Sequence, residues 1–89
     1  MNIDISRSVQ AFLKTLPPKQ YKQVAARIVD LAANQSPHDA RYLSGHPGYL
    51  RIDQGEYRII FAVDAEVVRV PHAGRRNDDA VYREFERKA

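Results

Sequence analysis

Cysteine is absent from the 89-residue sequence, which excludes disulfides, thiolate nucleophiles and cysteine-ligated zinc. Long hydrophobic runs are missing as well. Stretches such as Ile59–Val63 fall far short of the roughly 20 apolar residues that span a bilayer, so no membrane partner is expected. The opening Met1-Asn2-Ile3-Asp4-Ile5 has no basic segment and no long apolar stretch, so no secretory signal is expected and a cytoplasmic location is the default. Glycine is scarce, at four residues, and forms no phosphate-cradling loop; no Ser-His-Asp pattern can be read either. His38, His46 and His72 lack helical spacing with one another or with carboxylates, so neither a metal nor a cofactor is expected. The apolar fraction of 44% is that of a globular chain rather than a disordered one. The length points to one domain, 1–89, near the lower limit of what a single core can hold together.

What the chain does have is arginine. The formal net charge of +3 permits an anionic partner without requiring one. Ten of the 14 basic residues are arginine, and seven of those ten follow residue 50, where Lys88 is the only lysine. A merely solvated surface would use lysine at least as readily, whereas the planar guanidinium fork suits phosphate and carboxylate.

The periodicity reads as β-α-α-β-β-β-α, an α+β fold in which a helical hairpin packs on a small, mainly antiparallel sheet. Asn2–Ser6 alternates like a strand, and Ser6 or Ser8 can cap the helix that follows. Val9, Phe12, Leu13 and Leu16 are spaced for one helix face, and Pro17-Pro18 ends that helix. Pro18 can open a second helix with Tyr21, Val24, Ala25, Ile28, Leu31 and Ala32 as its apolar stripe. Asn34–Pro47 has no period and reads as a loop. Tyr49–Asp53, Glu56–Val63 and Glu66–Pro71 read as three strands of a meander with tight turns at Gln54-Gly55 and Asp64-Ala65. Ala73–Arg76 reads as a loop, and Asn77 or Asp78 can cap a last helix over Asp79–Lys88, with Val81, Tyr82 and Phe85 on its inner face.

With those turns, the hairpin register puts Arg51 opposite Arg58 and Ile60 opposite Arg69, so that Arg51, Arg58 and Arg69 share one sheet face while Leu50, Ile52, Tyr57 and Ile59 line the core. Facing like charges are unfavourable, by about 0.2–1 kcal/mol at an exposed pair. Two readings of that face stay open. Asp53 and Glu56 neighbour the arginines and neutralise them, or the concavity is built for an anion such as phosphate, with Arg75 and Arg76 enlarging it. His72, close to the arginine loop, is a candidate acid or base, although a solvated or structural role fits it as well. Tyr82 is either a core tyrosine packed on Phe85 or part of the site.

The run Tyr49–Phe61, the second hairpin after it and the segment Gly74–Tyr82 together resemble the RelE/ParE toxins of bacterial type II toxin–antitoxin systems. Gly55-x-Tyr57-Arg58 and Arg76-x5-Tyr82 are the most specific parts, and the likeness extends over nearly the whole chain. The resemblance implies the RelE-like, microbial-RNase-like fold and a toxin. In the RelE branch such a toxin is a ribosome-dependent endoribonuclease that cuts mRNA in the decoding site. In the ParE branch it poisons DNA gyrase. Arg58 matches the strand arginine that binds the scissile phosphate, and Arg51 falls where a basic residue stands on the preceding strand. Arg76 and Tyr82 match an arginine and a catalytic tyrosine near the C-terminus. Tyr49 and Asp53 depart from the pattern, standing where relatives carry lysine and arginine, and each departure removes positive charge.

These matches imply catalysis by Arg58, Arg76, Tyr82 and Arg51, and an RNA surface of Arg51, Arg58, Arg69, Arg75, Arg76 and Tyr49 with His72 as acid or base. The implied partners are the ribosome with its mRNA and an acidic, partly disordered antitoxin encoded by a neighbouring gene. Metal-independent cleavage by the RNA 2′-hydroxyl is the expected activity. A gyrase inhibitor without nuclease activity, or an inactive RNA- or protein-binding relative, are the alternatives.

Overall fold

The computed structural model describes residues 1–76. The expected last helix, Asp79–Lys88, and with it Tyr82, lie outside the described residues.

Strand β1 (Asn2–Ile5) leads into helices α1 (Arg7–Lys14) and α2 (Pro18–Asp30), followed by strands β2 (Arg41–Tyr42), β3 (Leu50–Gln54), β4 (Tyr57–Asp64) and β5 (Val67–Arg75). Local chemistry accounts for the helix starts. The Ser6 hydroxyl accepts from the Val9 N–H at 3.2 Å as the cap of α1. Pro18 opens α2, where its missing N–H costs nothing and its fixed φ already suits a helix.

The five strands form one sheet in the order β1-β5-β4-β3-β2. β1 runs parallel to β5, and every other neighbouring pair is antiparallel. Both helices cover one face. Val9 and Leu13 of α1, with Val24, Ile28 and Leu31 at α2, bury against Ile52, Tyr57, Ile59, Phe61, Val68, Val70 and Ala73. Phe12 meets the Tyr57 ring edge-on, with centroids 5.8 Å apart. Tyr21, expected in the buried stripe of α2, is instead 45% exposed. It lines an open groove of about 510 Å³ between β1 and the two helices, together with Ile3, Ile5, Ala25 and Val29.

Four expectations about strands and turns are corrected. The segment 34–47 is not wholly loop, because Arg41-Tyr42 adds a short edge strand to β3. Two residues are too few to show any period. The first hairpin turns at Gly55-Glu56 rather than Gln54-Gly55, since Gln54 pairs with Tyr57. Gly55 has φ +60°, as the first central residue of a II′ turn requires, whereas a turn centred on Gln54-Gly55 would have forced the glutamine into the left-handed region too. The second hairpin turns at Ala65-Glu66, with Asp64 paired to Val67 and Ala65 at φ +53°.

The fourth correction is the length of β5, which runs on through the expected loop to Arg75. A bulge makes this possible. Ala62 pairs with Arg69 but Ile60 pairs with His72, so Val70 and Pro71 together stand opposite Phe61. Proline has no N–H to give to an interior ladder, and a bulge is where a sheet tolerates it. The Pro71 carbonyl instead accepts from the hydroxyls of Ser6, at 2.9 Å, and Ser8, at 3.3 Å, tying the bulge to the start of α1.

Candidate anion-binding site

The sheet face away from the helices is set by alternation, and both hairpin corrections preserve it. Moving the first turn by one residue shifts the pairing by two, which keeps each side chain on its face but changes its partner. Arg51 therefore stands opposite Ile60, not Arg58, and Arg58 stands opposite Asp53. The row across the sheet reads Arg41, Arg51, Ile60, His72, and the next row towards the turn reads Asp53, Arg58, Gly74. The facing like charges are Arg41 and Arg51, and Arg41 turns its guanidinium to the carbonyls of His38 and Ala40, at 3.0 and 2.9 Å. Arg41 escaped the sequence reading because its strand did.

Asp53 lies at the centre of the charge. Arg58 donates to it through two nitrogens, Nε to Oδ1 at 2.8 Å and Nη2 to Oδ2 at 3.2 Å. Arg76 follows β5, its N–H bonded to the Glu56 carbonyl at 2.8 Å, and its Nη1 lies 4.0 Å from Asp53 Oδ2. The hydrogen bond from Arg58 holds the Asp53 carboxyl below its ordinary value. Burial opposes that shift, while the charges of Arg58, Arg51 and Arg76 add to it. Among the described residues, three arginines and one carboxylate thus share this corner of the sheet.

Two expected members do not join it. Arg69 shares the face but lies about four residues along the strands, roughly 13 Å away at 3.3 Å per residue. It pairs with Asp4 at 3.0 Å and Asp64 at 3.5 Å. Arg75 is on the opposite face. The Pro71 bulge exchanges odd for even along β5, so Arg75 stands beside Tyr57 on the helix side, 5.8 Å over its ring, and bonds Glu56 at 3.0 Å. Burial, and then the Glu56 carboxylate, push the Tyr57 phenol above its ordinary value.

The same bulge brings His72 onto the arginine face, buried and one row from Arg58. Tyr49, expected as an RNA contact, is half-buried and packs with Leu43 over Ile60, forming a small second core on this face. Among the described residues no group of three or more His, Cys, Asp or Glu side chains could hold a metal ion, and no helix is long and apolar enough to cross a membrane.

Two helices on one face of a five-stranded, mostly antiparallel sheet define an α+β fold, with the arginine corner on the other face. The family model described as the ParE toxin of the type II toxin–antitoxin system, parDE, matches residues 3–77, and the chain belongs to this family. No curated protein matches the sequence. Solved structures share the fold. The RelE–RelB complex of the archaeon Pyrococcus horikoshii aligns with a TM-score of 0.75 at 23% identity, covering 85% of this chain and 94% of that one. A mutant of the E. coli toxin RelE in the free state aligns at 0.78 and 21% identity, covering 98% and 95%. The RelBE2 toxin–antitoxin complex of Mycobacterium tuberculosis aligns at 0.69 and 21% identity, covering 84% and 96%.

Proposed function

We propose that this toxin is an mRNA endoribonuclease that works on the ribosome, cutting by attack of the RNA's own 2′-hydroxyl. The observation that carries this reading is the gathering of Arg51, Arg58 and Arg76 on one corner of the sheet with His72 in the adjoining row. In the reaction the 2′-oxygen loses its proton and bonds to the adjacent phosphorus. The bond from phosphorus to the 5′-oxygen breaks, and that oxygen takes a proton. The phosphorane between these events carries an extra negative charge, and fixed guanidinium groups stabilise it without reorganising. Arg58 and Arg76 are the residues assigned to that charge, with Arg51 beside them and Tyr82 or His72 assigned to proton handling. A site this poor in acid–base groups depends on a partner to align the 2′-oxygen, and the ribosome supplies that alignment.

The family model favours a second reading, inhibition of DNA gyrase, since it carries the ParE name. One experiment separates the two. Induction in bacteria followed by mapping of mRNA 5′ ends, alongside a supercoiling assay, yields in-frame cuts for the first and gyrase-dependent DNA damage for the second. On ribosomes stripped of zinc and manganese, the cut RNA should end in a 2′,3′-cyclic phosphate, and Arg58→Ala should abolish it. A 3′-hydroxyl end would refute the 2′-hydroxyl route.

RelE structures similar to this chain are solved with RelB antitoxins, and an antitoxin of its own, acidic and partly disordered, is the proposed partner here.

A further inference from the structure

We infer that Asp53 is an internal anion that occupies the arginine corner and has to be turned out before a phosphate can take its place. The contact is the one a phosphate would make. Both carboxylate oxygens are used, each on a different nitrogen of Arg58, and one of them also faces Arg76. Phosphate and carboxylate present the same spacing of oxygens to the guanidinium fork, so the two compete for one edge of Arg58.

The competitor is tethered. Asp53 stands directly opposite Arg58 in the ladder between β3 and β4, so it meets the guanidinium with little loss of chain freedom. Displacement is open to it, because its side chain is 31% exposed and borders solvent. With Asp53 in place, one of the positive charges that Arg51, Arg58 and Arg76 bring to the corner is already neutralised when an anion arrives. An isolated phosphate therefore binds weakly. A phosphate held in position by further contacts, as on a structured RNA, displaces the carboxylate. Asp53 in this role makes the corner selective for a delivered anion.

This inference rests on the phosphate-binding reading above for the class of ligand and on nothing else in it. The probe is inorganic phosphate, titrated into the full chain while the arginine Nε–Hε resonances are followed by NMR. Asp53→Asn keeps the shape and removes the charge, and it should tighten phosphate binding about three- to thirtyfold. Asp53→Ser provides the same test should the asparagine variant fail to fold, with circular dichroism as the check. Adding Arg58→Ala to either variant should erase the gain. Phosphate affinity that is unchanged, or weaker, in both variants overturns the inference, and weaker binding would make Asp53 a residue that orients Arg58 instead. The two proposals fail separately. Tighter phosphate binding by the variants with no mRNA cleavage by the wild type keeps this one and ends the nuclease reading. Cleavage by the wild type with no gain in the variants does the reverse.

Discussion

Asp53 and Arg58 show how a single ladder position fixes an energy. Had Arg58 faced Arg51, its removal would have relieved repulsion. Facing Asp53, it makes a two-point charged hydrogen bond instead, at side-chain exposures of 15% and 31%. Such a partly exposed pair is worth roughly 0.5–1 kcal/mol after screening. Its pH dependence follows from the lowered carboxyl of Asp53. A group with a depressed folded-state pKa contributes stability that is complete above its unfolded value, about 3.9, and disappears as pH falls through the lower folded value. Urea unfolding should therefore find Asp53→Asn less stable than the wild type at pH 7, with the gap narrowing as pH falls below the unfolded value of about 3.9. A gap that stays the same as the carboxylate is protonated would mean that its charge is not what stabilises the fold. Asp39, held low first by its hydrogen bond from Arg27, follows the same sign and ties the 34–40 segment to α2.

At the scale of elements, β4 and β5 decide what the site contains. β4 is covered on both faces: Ile59 and Phe61 meet the helices, and Ile60 lies beneath Leu43 and Tyr49 on the other side. Ile60 is fully buried although it belongs to the arginine face. Ile60→Ala should cost about 2–5 kcal/mol in chemical unfolding, as an interior cavity does and an exposed strand residue does not. A loss below about 0.5 kcal/mol, the size of an ordinary surface change, would show that the second core is not packed. β5 acts through its bulge. Because Val70 and Pro71 share one place opposite Phe61, the residues after them exchange faces, which brings His72 to the arginines and takes Arg75 to the helices.

Among the described residues of the molecule, the helices cover one face of the sheet and the arginine corner lies on the other. Such a toxin has to be held silent, and the arginine corner together with the segment 79–88 is the handle proposed for its antitoxin. A protein encoded by a neighbouring gene should co-purify with the toxin and restore growth when co-expressed, and deleting residues 79–89 should weaken the complex. Apolar burial would carry part of that affinity, so the complex should survive moderate salt, whereas a purely electrostatic contact would weaken as the Debye length shrinks towards about 3 Å at 1 M. Persistent toxicity with nothing co-purified would remove the main support for this partner.

Sequence alone determined the α+β class, both helices, their capping serine and proline, and the face on which Leu50, Ile52, Ile59 and Arg58 lie. These are matters of period and of local hydrogen bonding, which a few neighbouring residues settle. The Gly55 turn was within reach of the same reasoning, since only glycine enters the left-handed region at no cost, but a neighbouring Gln-Gly looked like the turn itself. Tertiary structure decided the partners. A two-residue slip in pairing leaves every apolar residue on the core face, so the hydrophobic pattern cannot tell Arg51 from Asp53 as the neighbour of Arg58. The strand β2 is too short to have a period, and it needs the edge of β3 to exist. The bulge at Pro71 breaks the alternation on which any count along β5 depends, and only the packing of Val70 and Ala73 against the helices fixes where the break falls.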